Sequence, residues 1–282
     1  MDKDCPICAA GTANPFVIKA GFQYFECSAC ESLFIDTAVL RDVDLGRSLV
    51  DYTAAYWNSE LAASRARSYG PALARTAETF LYARRPINVF LDIGAGAGYL
   101  LDALSTYLPS SKAKFWGIEK YPPIDRVANS NLVIGTIADF HMRVDGGVCV
   151  EVIEHLTPTM LRSLLSELAD VSNEDALYVF NSGQPCFVKQ EDPEYLDPTG
   201  RGHLVSYSLK GIESLANPLG FQVRPLPGKT WAFVLEKTGT LDISIITDRI
   251  WTALPSNRET LNDPRMGSVM YVLGIESARA YS

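Results

Sequence analysis

The stretch Ile87-Asn88-Val89-Phe90-Leu91-Asp92-Ile93-Gly94-Ala95-Gly96-Ala97-Gly98 decides how this chain folds. Its first seven residues are apolar except Asn88 and Asp92, as in a short strand buried on both faces. Three glycines at alternate positions follow, and residues 99–108 then read as a helix. Glycine lets a ligand come close to the backbone. The first N–H groups of the helix have no partner within it. A dinucleotide fingerprint needs glycine at its sixth position, where this chain has Tyr99. Asp92, two residues ahead of the loop, suits a ligand with an ammonium group better than a pyrophosphate. Alone, the loop also fits a tight βα turn that binds nothing.

Outward from this loop the pattern alternates. Residues 48–85 read as helical, divided at Gly70-Pro71 and stopped before Pro86. Strands are expected over 114–119, 132–137, 147–153 and 176–181, with helices over 158–171 and 208–219. A short helix is expected after Pro122-Pro123. Residues 221–225 and 231–236 face each other across Pro227-Gly228-Lys229, a hairpin signal. Strand–helix alternation predicts an α/β, Rossmann-like sheet, mostly parallel, with an antiparallel strand at its edge. Residues 241–254 suit a helix, yet Ile243, Ile245 and Ile246 also suit a strand.

Four of six cysteines form two pairs, Cys5-x2-Cys8 and Cys27-x2-Cys30, with 18 residues between them. Two residues between thiolates let one tight turn present both sulfurs to one ion. Two such turns make a closed four-sulfur site, which zinc prefers as a structural ion. Four free thiols or a redox pair are the alternatives. Short β-like runs lie between and after the pairs, so residues 1–45 read as a zinc ribbon. Residues 46–237 form the main domain, with 46–85 as a helical lead-in, and 238–282 form a C-terminal extension. Cys149 and Cys186 have no spaced partner and read as ordinary residues.

The 282 residues carry 25 Lys+Arg against 33 Asp+Glu, a net charge of −8. That sign disfavours a nucleic-acid partner. No run is long and apolar enough for a membrane helix, and the polar N-terminus is no signal peptide. Cytoplasmic location follows as an expectation, and the oligomeric state is not readable.

Two further clusters set the chemistry. Glu119 closes the second strand, 21 residues after Gly98. A carboxylate there can accept both hydroxyls of a ribose. Glu151-Val152-Ile153-Glu154-His155-Leu156 closes the fourth strand, where ligands sit in open α/β sheets.

Together, Asp92-x-Gly94-x-Gly96-x-Gly98, Glu119 and Glu151-Val-Ile-Glu154-His155-Leu resemble the class I S-adenosylmethionine-dependent methyltransferases, over residues 50–237. The cysteine pairs followed by Tyr52 and Tyr56 look like a subgroup with an N-terminal zinc ribbon, associated with sugar or secondary-metabolite pathways. The resemblance implies that Gly94, Ala95, Gly96 and Gly98 hold the methionine part, with Asp92 near its amino group. It implies Glu119 at the ribose and Thr136-Ile137 at the adenine. The family often has an acid where this chain has Thr136, with Asp139 three residues on. Tyr56, Lys120 and Glu151 complete the implied cofactor-binding set.

Methyl transfer needs a nucleophile aligned with the methyl and relieved of its proton. Of three histidines, His141 reads as solvated, while His155 and His203 follow the fourth and fifth strands. With Glu154 they are the expected catalytic residues. Glu151, Glu154, His155 and His203 also look like the divalent-metal site of small-RNA 2′-O-methyltransferases and ubiquinone-pathway O-methyltransferases. Glu-His-Leu also occurs in methyltransferases without metal, where the histidine orders a loop or touches substrate. The expected activity is methyl transfer to a small polar acceptor, capped by the ribbon and residues 238–282. Two rivals are RNA 2′-O-methylation with a divalent metal, and a zinc-ribbon adaptor that binds cofactor without chemistry.

Overall fold

The computed structural model describes residues 4–47, 49–50, 54–123, 126 and 129–279, with backbone alone over 54–59 and 275–279. The N-terminal unit opens with β1 (Ala13–Lys19), β2 (Phe22–Cys27), β3 (Leu33–Ile35) and α1 (Thr37–Asp44). The β1–β2 turn places Ala20 and Gly21 at φ +49° and +83°, the left-handed pair that a two-residue hairpin demands. Asp36 caps α1 by accepting the Ala38 N–H.

The main domain follows as α2 (Ala54–Tyr69), α3 (Pro71–Tyr82), β4 (Phe90–Ile93), α4 (Tyr99–Tyr107), β5 (Phe115–Glu119) and β6 (Leu132–Ile134). Next come β7 (Val144–Val150), α5 (Pro158–Val171), β8 (Ser172–Asn181), α6 (Pro185–Gln190), β9 (Val205–Ser206) and α7 (Leu209–Ala216). The β10 (Phe221–Pro225) and β11 (Ala232–Lys237) hairpin closes it. Seven strands form one sheet in the order β10-β11-β8-β7-β4-β5-β6. β4 pairs parallel with β5 and β7, and β7 with β8. β11 runs antiparallel to both β8 and β10, so the antiparallel member belongs to the hairpin that forms this edge. The sheet is the expected Rossmann-like arrangement, and its switch point falls between β4 and β7.

Local chemistry explains the helix starts. Thr157 caps α5 by accepting the Met160 N–H, with Pro158 at the first helical position. Leu161, Leu165 and Leu168 recur on one face of α5 and are buried. Ser208 caps α7 in the same way through the Gly211 N–H.

The two units are not separate bodies. β9, from the main domain, pairs antiparallel with β3, so the N-terminal sheet runs β1-β2-β3-β9. Tyr24, Leu33, Phe34 and Ile35 share one continuous core with Leu161, Leu165 and Ile212.

The extension contains a 3-10 helix (Ile246–Thr252), α8 (Pro255–Leu261) and α9 (Gly267–Arg279). Its described residues do not cap the acceptor region as expected. Asn257 accepts the Ile87 N–H (3.0 Å) and donates to Phe80 O and Arg85 O. These lie at the foot of β4, opposite the glycine loop. Met266, Val269 and Leu273 bury themselves with Leu73 and Phe80 of α3. The helix expected over 241–254 is present only as the 3-10 turn Ile246–Thr252, and no strand forms there. Arg224 donates to the Asp242 and Ser244 carbonyls, and buried Arg249 forks onto Glu236 (2.6 and 2.9 Å) while reaching Asp242. These charge-assisted bonds hold the irregular residues 242–245 against the start of the 3-10 helix.

The helix expected after Pro122-Pro123 falls largely on residues outside those described. Among the described residues, no helix is long and apolar enough to cross a membrane.

Candidate functional site

The carboxyl ends of β4, β5, β7 and β8 converge at the switch point. At β4, Gly94 and Ala95 both donate to Ile118 O (3.0 Å each), which ties the loop to β5. Gly94 has φ +73°, and a Cβ there would lie 2.4 Å from Val152 Cγ2, so the loop and the segment after β7 interlock. Gly98 starts α4 in the left-handed conformation (φ +82°) and offers no side-chain cap. The first N–H groups of α4 therefore face the site without a capping side chain.

Asp92 is 5% exposed. Burial, then the Glu119 carboxylate, pushes it up to about 7. Glu119 accepts the N–H groups of Gly96 and Tyr121 (2.8 Å each). A carboxylate offers about four acceptor positions, so room remains for hydroxyls. Lys120 is exposed and lies over the Tyr121 ring (5.2 Å). Thr136 donates through its backbone N–H to Asp139 Oδ2 (2.8 Å), which closes a capping box. The Ile137 side chain is buried in the core, so only its backbone can face a ligand. Tyr56 lies in α2, but its side chain is outside the described residues, as is Tyr52.

After β7 the chain turns sharply. Glu151 takes φ +55°, a strained conformation costing on the order of 1–3 kcal/mol for a non-glycine residue. It accepts from Asn181 Nδ2 at 2.8 Å. Burial, then the Glu154 carboxylate, pushes Glu151 up to about 8. Glu154 is 0% exposed, and the Glu151, Ser182 and Tyr195 side chains lie beside its carboxylate. Burial pushes it up as well. His203 Nε2 lies 3.9 Å from Glu154 Oε1.

The two histidine rings meet edge to face with centroids 4.9 Å apart. His155 Nδ1 bonds Gly202 O (3.2 Å), and His203 Nδ1 bonds Tyr195 O (2.7 Å). A carbonyl only accepts, so each Nδ1 carries the proton and each Nε2 lone pair stays free. Burial lowers His155, and burial followed by the His155 charge drives His203 down to about 3. Both rings are neutral near pH 7.

Ligand atoms of Glu154, His155 and His203 all lie within 4.8 Å of one another. Glu151 is not in that group, which corrects the expectation of four converging ligands: its carboxylate turns to Asn181 instead. His141 is exposed, as expected. Asn181, Tyr195 and Tyr24 were not singled out in the sequence. Tyr195 packs on His203 (4.4 Å) and accepts the Gly183 N–H. An aromatic residue inside the polar run 191–203 was its one signal.

The ligand atoms of the four N-terminal cysteines also lie within 4.8 Å of one another. Cys5 and Cys30 sulfurs are 3.8 Å apart, and Cys8 and Cys27 sulfurs 3.6 Å. Contact with Cys30, then burial, pushes the Cys5 thiol up, while contact with Cys5 draws Cys30 down to about 5. One proton is thus held between them, and only a cation would let both ionise.

No family model matches the chain, and no curated protein matches it in sequence. Among solved structures it is similar to S-adenosylmethionine-bound CalS10, an amino pentose methyltransferase from Micromonospora echinaspora involved in calicheamicin biosynthesis. That match has 15% identity over 64% of this chain and 96% of that one, at a TM-score of 0.47. It is similar to DesVI of Streptomyces venezuelae at 15% identity, over 66% and 98% of the two chains, with a TM-score of 0.47. It is also similar to the 1,6-didemethyltoxoflavin-N1-methyltransferase of Burkholderia thailandensis at 16% identity, over 80% and 100%, with a TM-score of 0.43.

Proposed function

We propose that this chain is an S-adenosylmethionine-dependent methyltransferase acting on a small polar acceptor, sugar-like or a secondary metabolite, at oxygen or carbon. One observation carries the reading. The glycine loop with Glu119 and the Glu154–His155–His203 cluster flank the same switch point, from β4 on one side and β7 on the other. A donor gripped by the first is then beside an acceptor gripped by the second.

S-adenosylmethionine, when bound, supplies a methyl already activated on a sulfonium. The backbone of Gly94–Gly98 and the start of α4 suit its carboxylate, and Asp92 its ammonium. Glu119 takes the ribose, with Lys120, Tyr56 and Glu151 around the cofactor. The backbone of Thr136 and Ile137 takes the adenine. His155 and His203 are neutral; His203, driven down to about 3, suits contact with the acceptor, and His155 is the better placed to receive a hydroxyl proton.

A divalent ion also suits this cluster: two imidazoles and a buried carboxylate offer ligand atoms within 4.8 Å of one another. Such an ion would lower the pKa of an acceptor hydroxyl. Zinc suits the four cysteines as a structural ion, since four sulfurs leave no open position. All six cysteines are free thiols, in keeping with a reducing, cytoplasmic compartment.

Calorimetry with S-adenosylmethionine and S-adenosylhomocysteine tests the reading. We expect both to bind, and turnover of a hydroxylated acceptor to be lost in His155→Ala and His203→Ala. Absence of affinity for both ligands ends it. RNA methylation is a second reading, favoured by the carboxylate–histidine cluster and opposed by the net charge of −8. Tight, salt-sensitive RNA retention on filters would choose it. Cofactor binding without turnover, indifferent to both histidine substitutions, would choose the adaptor.

A further inference from the structure

His203 sits where the two units join. Its N–H donates to Asp197 O (3.1 Å), and its Nδ1 bonds Tyr195 O, both from the same loop. Its carbonyl is held differently: Tyr24 of β2 donates its hydroxyl to His203 O at 2.6 Å. Tyr24 is 0% exposed, and its hydroxyl comes from the N-terminal unit, 179 residues away in sequence.

The next residue carries the link onward in both directions. Leu204 N–H donates to Glu154 O (2.8 Å), and Leu204 O accepts the Ile35 N–H of β3 (3.0 Å). β9 then pairs with β3, Phe34 opposite Val205 and Leu33 opposite Ser206. Just before β3, Ser32 Oγ accepts the Ser208 N–H (3.0 Å), and Ser208 donates its hydroxyl to Cys30 O. A short backbone ladder therefore runs from the second cysteine pair to the histidine–carboxylate cluster.

We propose that the N-terminal unit positions the histidine cluster, with Tyr24 as the positioning residue that fixes the His203 carbonyl and β3 as the strand that fixes its chain direction. Tyr24 touches no reacting atom. It acts through His203, whose Nε2 points at Glu154 only while the backbone on both sides of the ring is pinned. The isolated main domain would keep its glycine loop and lose this alignment. The proposal rests on the reading of His203 as an acceptor-facing residue, but its test does not need the acceptor.

The test is nitrogen NMR of the full chain with labelled histidine. The three histidines give separable signals, with exposed His141 as internal reference. Tyr24→Phe removes the hydroxyl and keeps the ring. We expect it to shift both ring nitrogens of His203 and shrink its Nδ1-protonated population, leaving His141 in place and S-adenosylhomocysteine affinity within about twofold. Lys189→Ala is the comparator, since it cuts a partly exposed ion pair from the main domain to Glu26 of β2 (2.6 Å) without touching the ladder. It should leave His203 unchanged. Unmoved His203 signals in Tyr24→Phe overturn the proposal, as do equal shifts in both variants. Failure of S-adenosylhomocysteine to bind the parent chain overturns the methyltransferase reading and leaves the His203 result standing. Once an acceptor is known, Tyr24→Phe should lower kcat by roughly 10- to 100-fold with little change in KM for the donor, the scale of a modest misplacement.

Discussion

The chain gathers metal-competent groups in two places, and the two clusters are built on opposite principles. The four cysteines are alike, come from two tight turns, and bring their sulfurs within 4.8 Å of one another. Glu154, His155 and His203 are of mixed chemistry and come from two loops, after β7 and before β9. A closed set of soft ligands stabilises a fold. A carboxylate buried beside two neutral imidazoles costs stability.

The sharpest way to break this contrast is to empty the cysteine site. Cys27→Ser, or chelation, should melt the N-terminal unit cooperatively, since structural zinc contributes on the order of 10 kcal/mol in small sites. Loss of zinc with unchanged circular dichroism and melting temperature would contradict it. The opposite sign is expected at the other cluster. Glu154→Met replaces a carboxylate that burial holds above its ordinary range, and should stabilise the chain by roughly 1–3 kcal/mol, read by urea denaturation. A destabilised variant would mean that the carboxylate has a structural duty.

Glu119→Ala tests the donor side. It should weaken S-adenosylmethionine binding by at least about 1 kcal/mol in calorimetry, for two lost hydrogen bonds to a charged acceptor. Unchanged affinity would refute the ribose assignment. A further test concerns pH. Asp92 and Glu151 sit near 7 and 8 when folded, above their unfolded values, so the folded chain keeps protons that the unfolded chain has released. Stability should therefore fall as pH rises from the ordinary carboxylate range to about 8 and level off above it. Glu151→Gln should flatten that slope in denaturation series run between pH 5 and 9, and an unaltered slope would place the proton elsewhere. Binding of a cation beside these groups should tighten over the same interval.

The two clusters also differed in how far the sequence disclosed them. The cysteine spacing is local, so Cys5, Cys8, Cys27 and Cys30 were legible as a set. So were β4, the glycine loop and Glu119, because strand, turn and helix follow one another within a few residues. Glu154, His155 and His203 were legible as residue types, but the burial of Glu154 and the divergence of Glu151 depend on a left-handed turn and on Asn181 from another strand. β9 has two residues and exists through pairing with β3, over a separation that no periodicity records. The path of residues 242–249 depends on Arg224 and Arg249, so isoleucine spacing could not reveal it.

Gly94 and Val152 bear on how this molecule can be changed. A single methyl at position 94 would collide with the side chain at 152, so the two loops are cut to each other's outline. Neither can be swapped for a homologous loop from another protein in isolation. A graft at one loop must therefore bring the other with it, and drift in one is confined to sequences that the other tolerates.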